Sequence, residues 1–234
     1  MSDQNPETYS FSPWKRPVAW VTWIVLGTTV AIFLLQLLTY YRTGEDSIGD
    51  TLAFSPQAMT DHRYWTLITY AWAHAVIMFD DRSLFWLHIV SNMIPLICFG
   101  PALEEVLGHG RFLGLYLGGA VASALVWYLF NLNAGPDTAG GQGVIGASGA
   151  IFALIAAAGT VAPRAIVMVY LFYVLPIRMS LRTLALVACG IELAKIIFGW
   201  LPQVAHTAHL GGATFGFLYV LAVRFLERRR GFPN

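Results

Sequence analysis

Val144 to Gly159 reads VIGASGAIFALIAAAG and sets one serine, Ser148, among small residues where an apolar segment begins; Ala208 to Gly216 reads AHLGGATFG and opens another such segment with His209. Serine with histidine is the minimal pair for acyl transfer, an alcohol that attacks and an imidazole that takes its proton. An ionisable group inside an apolar span is costly and points to function, so the pairing suggests a hydrolase acting within the membrane rather than a transporter. Ser148 follows the glycine-rich stretch AGGQG at 139–143 and lies in Gly146-Ala147-Ser148-Gly149. The first turn of a helix leaves N–H groups without intrahelical partners, so Ser148 can present both its hydroxyl and its own N–H to a reacting carbonyl. The plain alternative is a helix N-cap or a small packing residue. The G-x-S-x-G elbow of soluble hydrolases is not matched, because Ala150 takes the last position.

His209, Gly212 and Gly216 recur at spacings of three and four, which puts the imidazole on the face of a G-x-x-x-G groove. The segment that opens with Ser148 offers a matching surface of Gly149, Ala153, Ala156 and Ala157, with Phe152 one turn from the serine and able to stack on the ring. No carboxylate lies near either residue in sequence, so packing is expected to replace an orienting acid. His88 and Asn92 share one face of another apolar helix. As a pair they read either as an interhelical hydrogen bond or as donors that join the Ser148 N–H in binding an oxyanion.

The elements that must position these groups are membrane helices. The chain of 234 residues is 57% hydrophobic and 12% charged, against the roughly 25% charged of soluble domains. Runs of about 20 apolar residues occur at Val18–Tyr40, Leu84–Leu103, Phe112–Leu132, Gly146–Pro163, Ser180–Trp200 and Ala205–Phe225, so an all-α bundle of six spans is expected. Ala165–Leu175, between Arg164 and Pro176, is too short to span and reads as interfacial or re-entrant. A net charge of +1 argues against nucleic-acid binding. With the amino terminus inside, Lys15, Arg16, Arg111, Arg164, Arg178, Arg182, Arg224 and Arg228–Arg230 fall on the cytoplasmic side, and only Arg42, Arg63 and Arg82 clearly outside.

The expected organisation is a leader at 1–17, a membrane domain at 18–226 with an outer loop at 41–83, and a basic tail at 227–234. The first span exceeds a signal-peptide core in length and is expected to remain as an anchor. In the outer loop, Arg63–His74 interleaves Tyr64, Trp65, Tyr70 and Trp72 with polar groups, as interfacial segments do, and Asp80, Asp81 and Arg82 mark a solvated turn. Trp200–Gln203 is a candidate cover for the site. Cys98 and Cys189 fall within different spans and read as inert packing residues.

Taken together, H-x-x-x-N at His88–Asn92, GASG at 146–149 and A-H-L-G-G-x-x-x-G at 208–216 resemble the rhomboid family of intramembrane serine proteases. Gly100-Pro101-Ala102-Leu103-Glu104, followed by Leu107-Gly108 and Arg111-Phe112, is similar to that family's G-x-x-x-E turn. The resemblance implies a six-transmembrane-helix bundle with both termini cytoplasmic, a dyad of Ser148 as nucleophile and His209 as base, and oxyanion donors at His88 and Asn92. Gly146, Gly149, Phe152, Gly212 and Gly216 support them. It implies transmembrane protein substrates taken from the bilayer, cut near the outer face without cofactor or metal. One departure is Trp65-Thr66 where the family shows Trp-Arg; Arg63 stands as the substitute. A bacterial inner membrane is the location expected from small size.

Three other classes remain. A metal or haem protein would use His74, His88, His206 and His209, although no HExxH is present. A transporter or channel would use Glu192, Lys195 and Glu104. A family member that binds clients without cutting them has no need of both Ser148 and His209.

Overall fold

The computed structural model describes residues 18–76, 85–133, 143–171, 174–201 and 205–229. The leader at 1–17, the Asp80–Arg82 turn, most of the 139–143 stretch, Gln203 and the end of the tail lie outside the described residues. Apolar helices stand at each expected place: α1 (Trp20–Thr43), α5 (Phe85–Leu107), α6 (His109–Phe130), α7 (Ser148–Val161), α8 (Leu181–Phe198) and α9 (His206–Arg229). Four of them, α1, α5, α6 and α9, are long and apolar enough to cross a membrane. At 14 residues, α7 runs only about 21 Å, short of the roughly 30 Å of a hydrocarbon core. In α8 three charged residues, Arg182, Glu192 and Lys195, interrupt the apolar pattern.

The expectation of an all-α chain is corrected between α7 and α8. There β1 (Ile166–Leu171) pairs antiparallel with β2 (Leu175–Ser180), with Met168 opposite Arg178 and Tyr170 opposite Pro176. The run IVMVYL is β-branched and aromatic, residues that pack on a pleated surface, and it is too short to nucleate a helix alone. Pro176 is tolerated because this two-stranded ribbon leaves each strand an edge.

The core is built around α7, which packs on α9, α6, α8 and α5. Ala150, Ala153, Leu154 and Ala157 are fully buried along it. A methyl built on Gly212 would strike the Gly149 carbonyl, and one on Gly216 would strike the Ala153 backbone. Thus α7 and α9 touch backbone to backbone, through residues four apart on both helices.

At the far end of the bundle, Glu104 accepts hydrogen bonds from Val21 N and Thr22 N at 3.0 and 2.8 Å, from Thr22 Oγ1 at 2.6 Å and from His109 Nδ1 at 2.6 Å. The carboxylate satisfies donors of the first turn of α1, where a negative charge also meets the positive helix end. Gly100 makes room for Thr22, since a Cβ there would lie 2.6 Å from its methyl. This explains the G-x-x-x-E spacing physically. Next to it, Arg111 pairs with Glu227 and Tyr219 Oη donates to the Arg111 carbonyl at 3.0 Å, closing α6 on α9.

Two smaller expectations are also corrected. Cys98 is exposed and Cys189 half-buried, both free, so neither is a core packing residue. The segment 63–74 does not lie flat at the surface: Tyr64 and Trp65 are exposed, but Tyr70, Ala71, Ala73 and His74 are buried. Tyr70 Oη donates to the Ala120 carbonyl at 2.8 Å, and the Gln36 side chain brackets His74 through its backbone N–H and carbonyl, each at 3.0 Å.

A test of the α7–α9 contact compares two glycines. Gly212→Val is expected to lower stability by about 1–3 kcal/mol through overpacking. Gly190→Ala in α8, where a methyl meets nothing within 4 Å, is expected to be neutral or slightly stabilising. Thermal unfolding in one detergent checks both.

Candidate active site

Ser148 is the first residue of α7, and Ala147 before it occupies the cap position with no side-chain cap bond. Its hydroxyl is engaged elsewhere: Ser148 Oγ lies 2.8 Å from His209 Nε2. The other ring nitrogen, His209 Nδ1, lies 2.8 Å from Glu192 Oε2. A carboxylate only accepts, so Nδ1 carries the ring proton and Nε2 is left to accept from the serine. Phe152 stacks on the imidazole with centroids 4.6 Å apart and planes 3° from parallel, which fixes the ring plane. The serine is half-buried, and the histidine is buried.

His88 stands across the site. Its Nδ1 accepts the Ala75 N–H at 3.1 Å, so Nε2 carries the ring hydrogen and is the donor left on the ring. A Cβ on Gly146 would lie 2.7 Å from that Nε2. Gly146 has φ +117, a conformation that L side chains avoid, so only glycine gives both the turn and the clearance. Asn92 donates from Nδ2 to the His88 carbonyl at 2.7 Å, and its buried Oδ1 has no hydrogen-bond partner among the described residues. Tyr70, His88, Asn92, Ser148, Glu192 and His209 all line one cavity of about 800 Å³. Such a space is large enough for water. A recess is expected where irregular backbone enters an apolar bundle.

The loop that delivers the serine is held from the segment between α1 and α5. Gly146 N donates to the Tyr70 carbonyl at 2.9 Å, Phe54 and Val144 form a β-bridge, and Ala147 N approaches His74 Nε2 at 3.5 Å. Arg63, the expected substitute for an arginine tie, donates to the Asp50 carbonyl at 3.2 Å and stays within the outer loop.

Every residue singled out at this site is thus brought together. The expectation that no carboxylate is near is corrected, because Glu192 comes from α8, distant in sequence but adjacent in space. Its pairing with Lys195 is present as well, at 3.0 Å. His206 Nδ1 also meets Glu192 Oε2, at 2.6 Å. The four-histidine ligand set does not gather: His74 neighbours His88, with ring centroids 5.0 Å apart, and His206 neighbours His209 at 6.3 Å. Among the described residues, Glu192, His206 and His209 are the group with ligand atoms close enough for a metal, within 4.8 Å of one another. Those atoms already satisfy each other by hydrogen bonds. The signal for Glu192 was present in the sequence, a carboxylate in mid-helix, but it was read only against Lys195, three residues on. Sequence reasoning gave His74 no structural part.

With this geometry in hand, comparison places the chain. Residues 61–225 match the Rhomboid domain, and the protein belongs to the rhomboid family. It is an integral, multi-pass membrane protein, mostly helical. It is 38% identical over 137 residues to presenilin-associated rhomboid-like protein A, mitochondrial, of Danio rerio, covering 57% of this chain and 33% of that protein. RHOMBOID-like protein 5 of Arabidopsis thaliana is 28% identical over 253 residues, 93% of this chain and 72% of that protein. The presenilin-associated rhomboid-like protein, mitochondrial, of Homo sapiens is 34% identical over 143 residues, 61% of this chain and 35% of that protein. The chain spans about a third of the length of the two animal relatives.

His74 supplies a pH test. Burial pulls its ring down to about 3, well below the ordinary value for histidine. The unfolded chain, with a value near 6.5, binds the proton first as pH falls. The neutral ring's contribution to stability is therefore complete above about pH 6.5 and is lost progressively below it. Between about pH 7 and about pH 5, the melting temperature of the wild type is expected to fall further than that of His74→Gln. Equal falls would show that His74 is not the group responsible.

Proposed function

We propose that this protein is an intramembrane serine endopeptidase that cleaves transmembrane segments of other membrane proteins near the outer membrane face. The observation that carries the reading is the 2.8 Å contact between Ser148 Oγ and His209 Nε2 on the wall of a cavity that His88, Asn92 and Glu192 also line. In the proposed arrangement 18–226 forms six spans, with α7 and α8 completing the four long ones, and both termini face the cytoplasm. The leader at 1–17 and the tail at 227–234 flank it there.

A client helix unwinds at its outer end and presents a carbonyl to Ser148. His209 Nε2 takes the hydroxyl proton as Oγ adds to the carbonyl carbon. The oxyanion is met by the Ser148 N–H, by His88 Nε2–H and by Asn92 Nδ2–H, donors in place before charge develops. His209 then passes its proton to the leaving amine as the C–N bond breaks, leaving an acyl-enzyme. Water then adds to the acyl carbon as it gives a proton to the same nitrogen; the ester bond to Oγ breaks, His209 returns that proton to Oγ, and the new carboxyl terminus is released. No step calls for a metal. Membership in the rhomboid family supports this chemistry, and the relatives, mitochondrial by name or from a plant, do not support a bacterial inner membrane as the location.

The test is cleavage of a single-span substrate in liposomes. Cutting is expected to persist in chelator and to fall by about 10³-fold or more in Ser148→Ala and in His209→Ala. His88→Ala or Asn92→Ala is expected to lower kcat by roughly 10- to 10³-fold. Cleavage undiminished in Ser148→Ala overturns the reading, and ion flux independent of Ser148 would favour a channel.

A further inference from the structure

The proposed chemistry uses Ser148 and His209 and leaves Glu192, His206 and Lys195 without a part. Glu192 is only 5% exposed, in the middle of α8, and a charge so placed is tolerated only where it is fully paired. Both oxygens are engaged. Oε1 accepts from Lys195 Nζ at 3.0 Å, one turn along the same helix. Oε2 meets His206 Nδ1 at 2.6 Å and His209 Nδ1 at 2.8 Å.

His206 is itself pinned. Its Nε2 lies 3.0 Å from the carbonyls of both Trp200 and Leu201. Carbonyls and an ionised carboxylate only accept, so both ring nitrogens of His206 donate, Nε2 to the two carbonyls and Nδ1 to Glu192. The carboxylate is therefore fixed on one side by a lysine of its own helix and on the other by a ring tied to the Trp200 and Leu201 carbonyls, just past the end of α8. A plain Glu–Lys pair would need neither the second oxygen nor its aim at the base.

We infer that Glu192 is a positioning residue for His209, so that Ser148, His209 and Glu192 act as a three-member chain held in register by His206 and Lys195. This rests on the protease reading above. The carboxylate holds His209 in the tautomer with hydrogen on Nδ1, leaving the Nε2 lone pair toward the serine, and offsets the positive charge of the imidazolium that forms when the serine proton arrives. The Nδ1 proton stays where it is and Glu192 stays ionised throughout. An amide at position 192 reverses this. Its NH₂ donates to Nδ1 and favours the tautomer with hydrogen on Nε2, which faces Ser148 and cannot accept.

The experiment uses the full chain in liposomes with one transmembrane substrate, comparing wild type, Glu192→Gln, Glu192→Asp and Lys195→Met. Nitrogen-15 NMR of the His209 ring reads the tautomer in parallel. Glu192→Gln is expected to keep KM within about 3-fold and to lose about 10²- to 10⁴-fold in kcat, with the ring proton moving from Nδ1 to Nε2. Glu192→Asp is expected to recover about a tenth or more of kcat, and Lys195→Met to keep the Nδ1–H tautomer with about 10-fold less kcat. A kcat for Glu192→Gln within about 3-fold of wild type overturns the assignment. So does an Nε2–H tautomer in the wild type, which needs no variant to fold. If the wild type does not cleave, the protease reading fails, and the tautomer still decides whether Glu192 holds the ring.

Discussion

The structure depends on the approach of α7 and α9 without side chains between them. Gly149 and Ala153 on one helix meet Gly212 and Gly216 on the other, with no room for a methyl group at either glycine of α9. In lipid no hydrophobic force drives helices together, so association comes from van der Waals contact and hydrogen bonds, and small residues maximise both. The contact fixes the height and rotation of α9 against α7 and so decides whether a serine at the start of one can meet a histidine near the start of the other. Phe152, one turn along α7, then stacks on the face of His209.

Several buried polar groups are answered by specific partners. Glu104 satisfies the start of α1, and Gln36 satisfies the backbone of His74. Glu192 gathers Lys195, His206 and His209. The segment between α1 and α5 is not a passive connection: from Phe54, Tyr70 and His74 it supports the loop at Val144–Ala147 that presents Ser148. The shortness of α7 leaves that end of the bundle open, and the cavity there is lined by the groups proposed to do chemistry.

Much of this was legible from the residues. Positions of the apolar helices follow from run length, and the facing of His209 with Gly212 and Gly216 follows from helical periodicity. The small residues Gly149, Ala153, Ala156 and Ala157 signalled a surface that another helix could approach closely. Three things were not legible. The pairing of Glu192 with His209 joins α8 to α9, and nothing local marks it, because a Glu–Lys pair three apart already satisfies the sequence-level rule. The hairpin at 166–180 was hidden by its apolar character, which length alone could not assign to strand or helix. The burial of Tyr70 and His74 depends on the space between α1, α5 and α6, which periodicity within one segment does not report. In each case the missing information was a tertiary contact that overrode a sound local reading.

The central claim is that Ser148 is a nucleophile activated by His209. Its most direct measurement is reaction of the full-length protein with a fluorophosphonate, followed by intact mass and peptide mapping. The account requires one phosphonyl group on the peptide containing Ser148, absent from Ser148→Ala and strongly slowed in His209→Ala. A phosphonyl group on a different residue, or equal labelling of the Ser148→Ala protein, would contradict it.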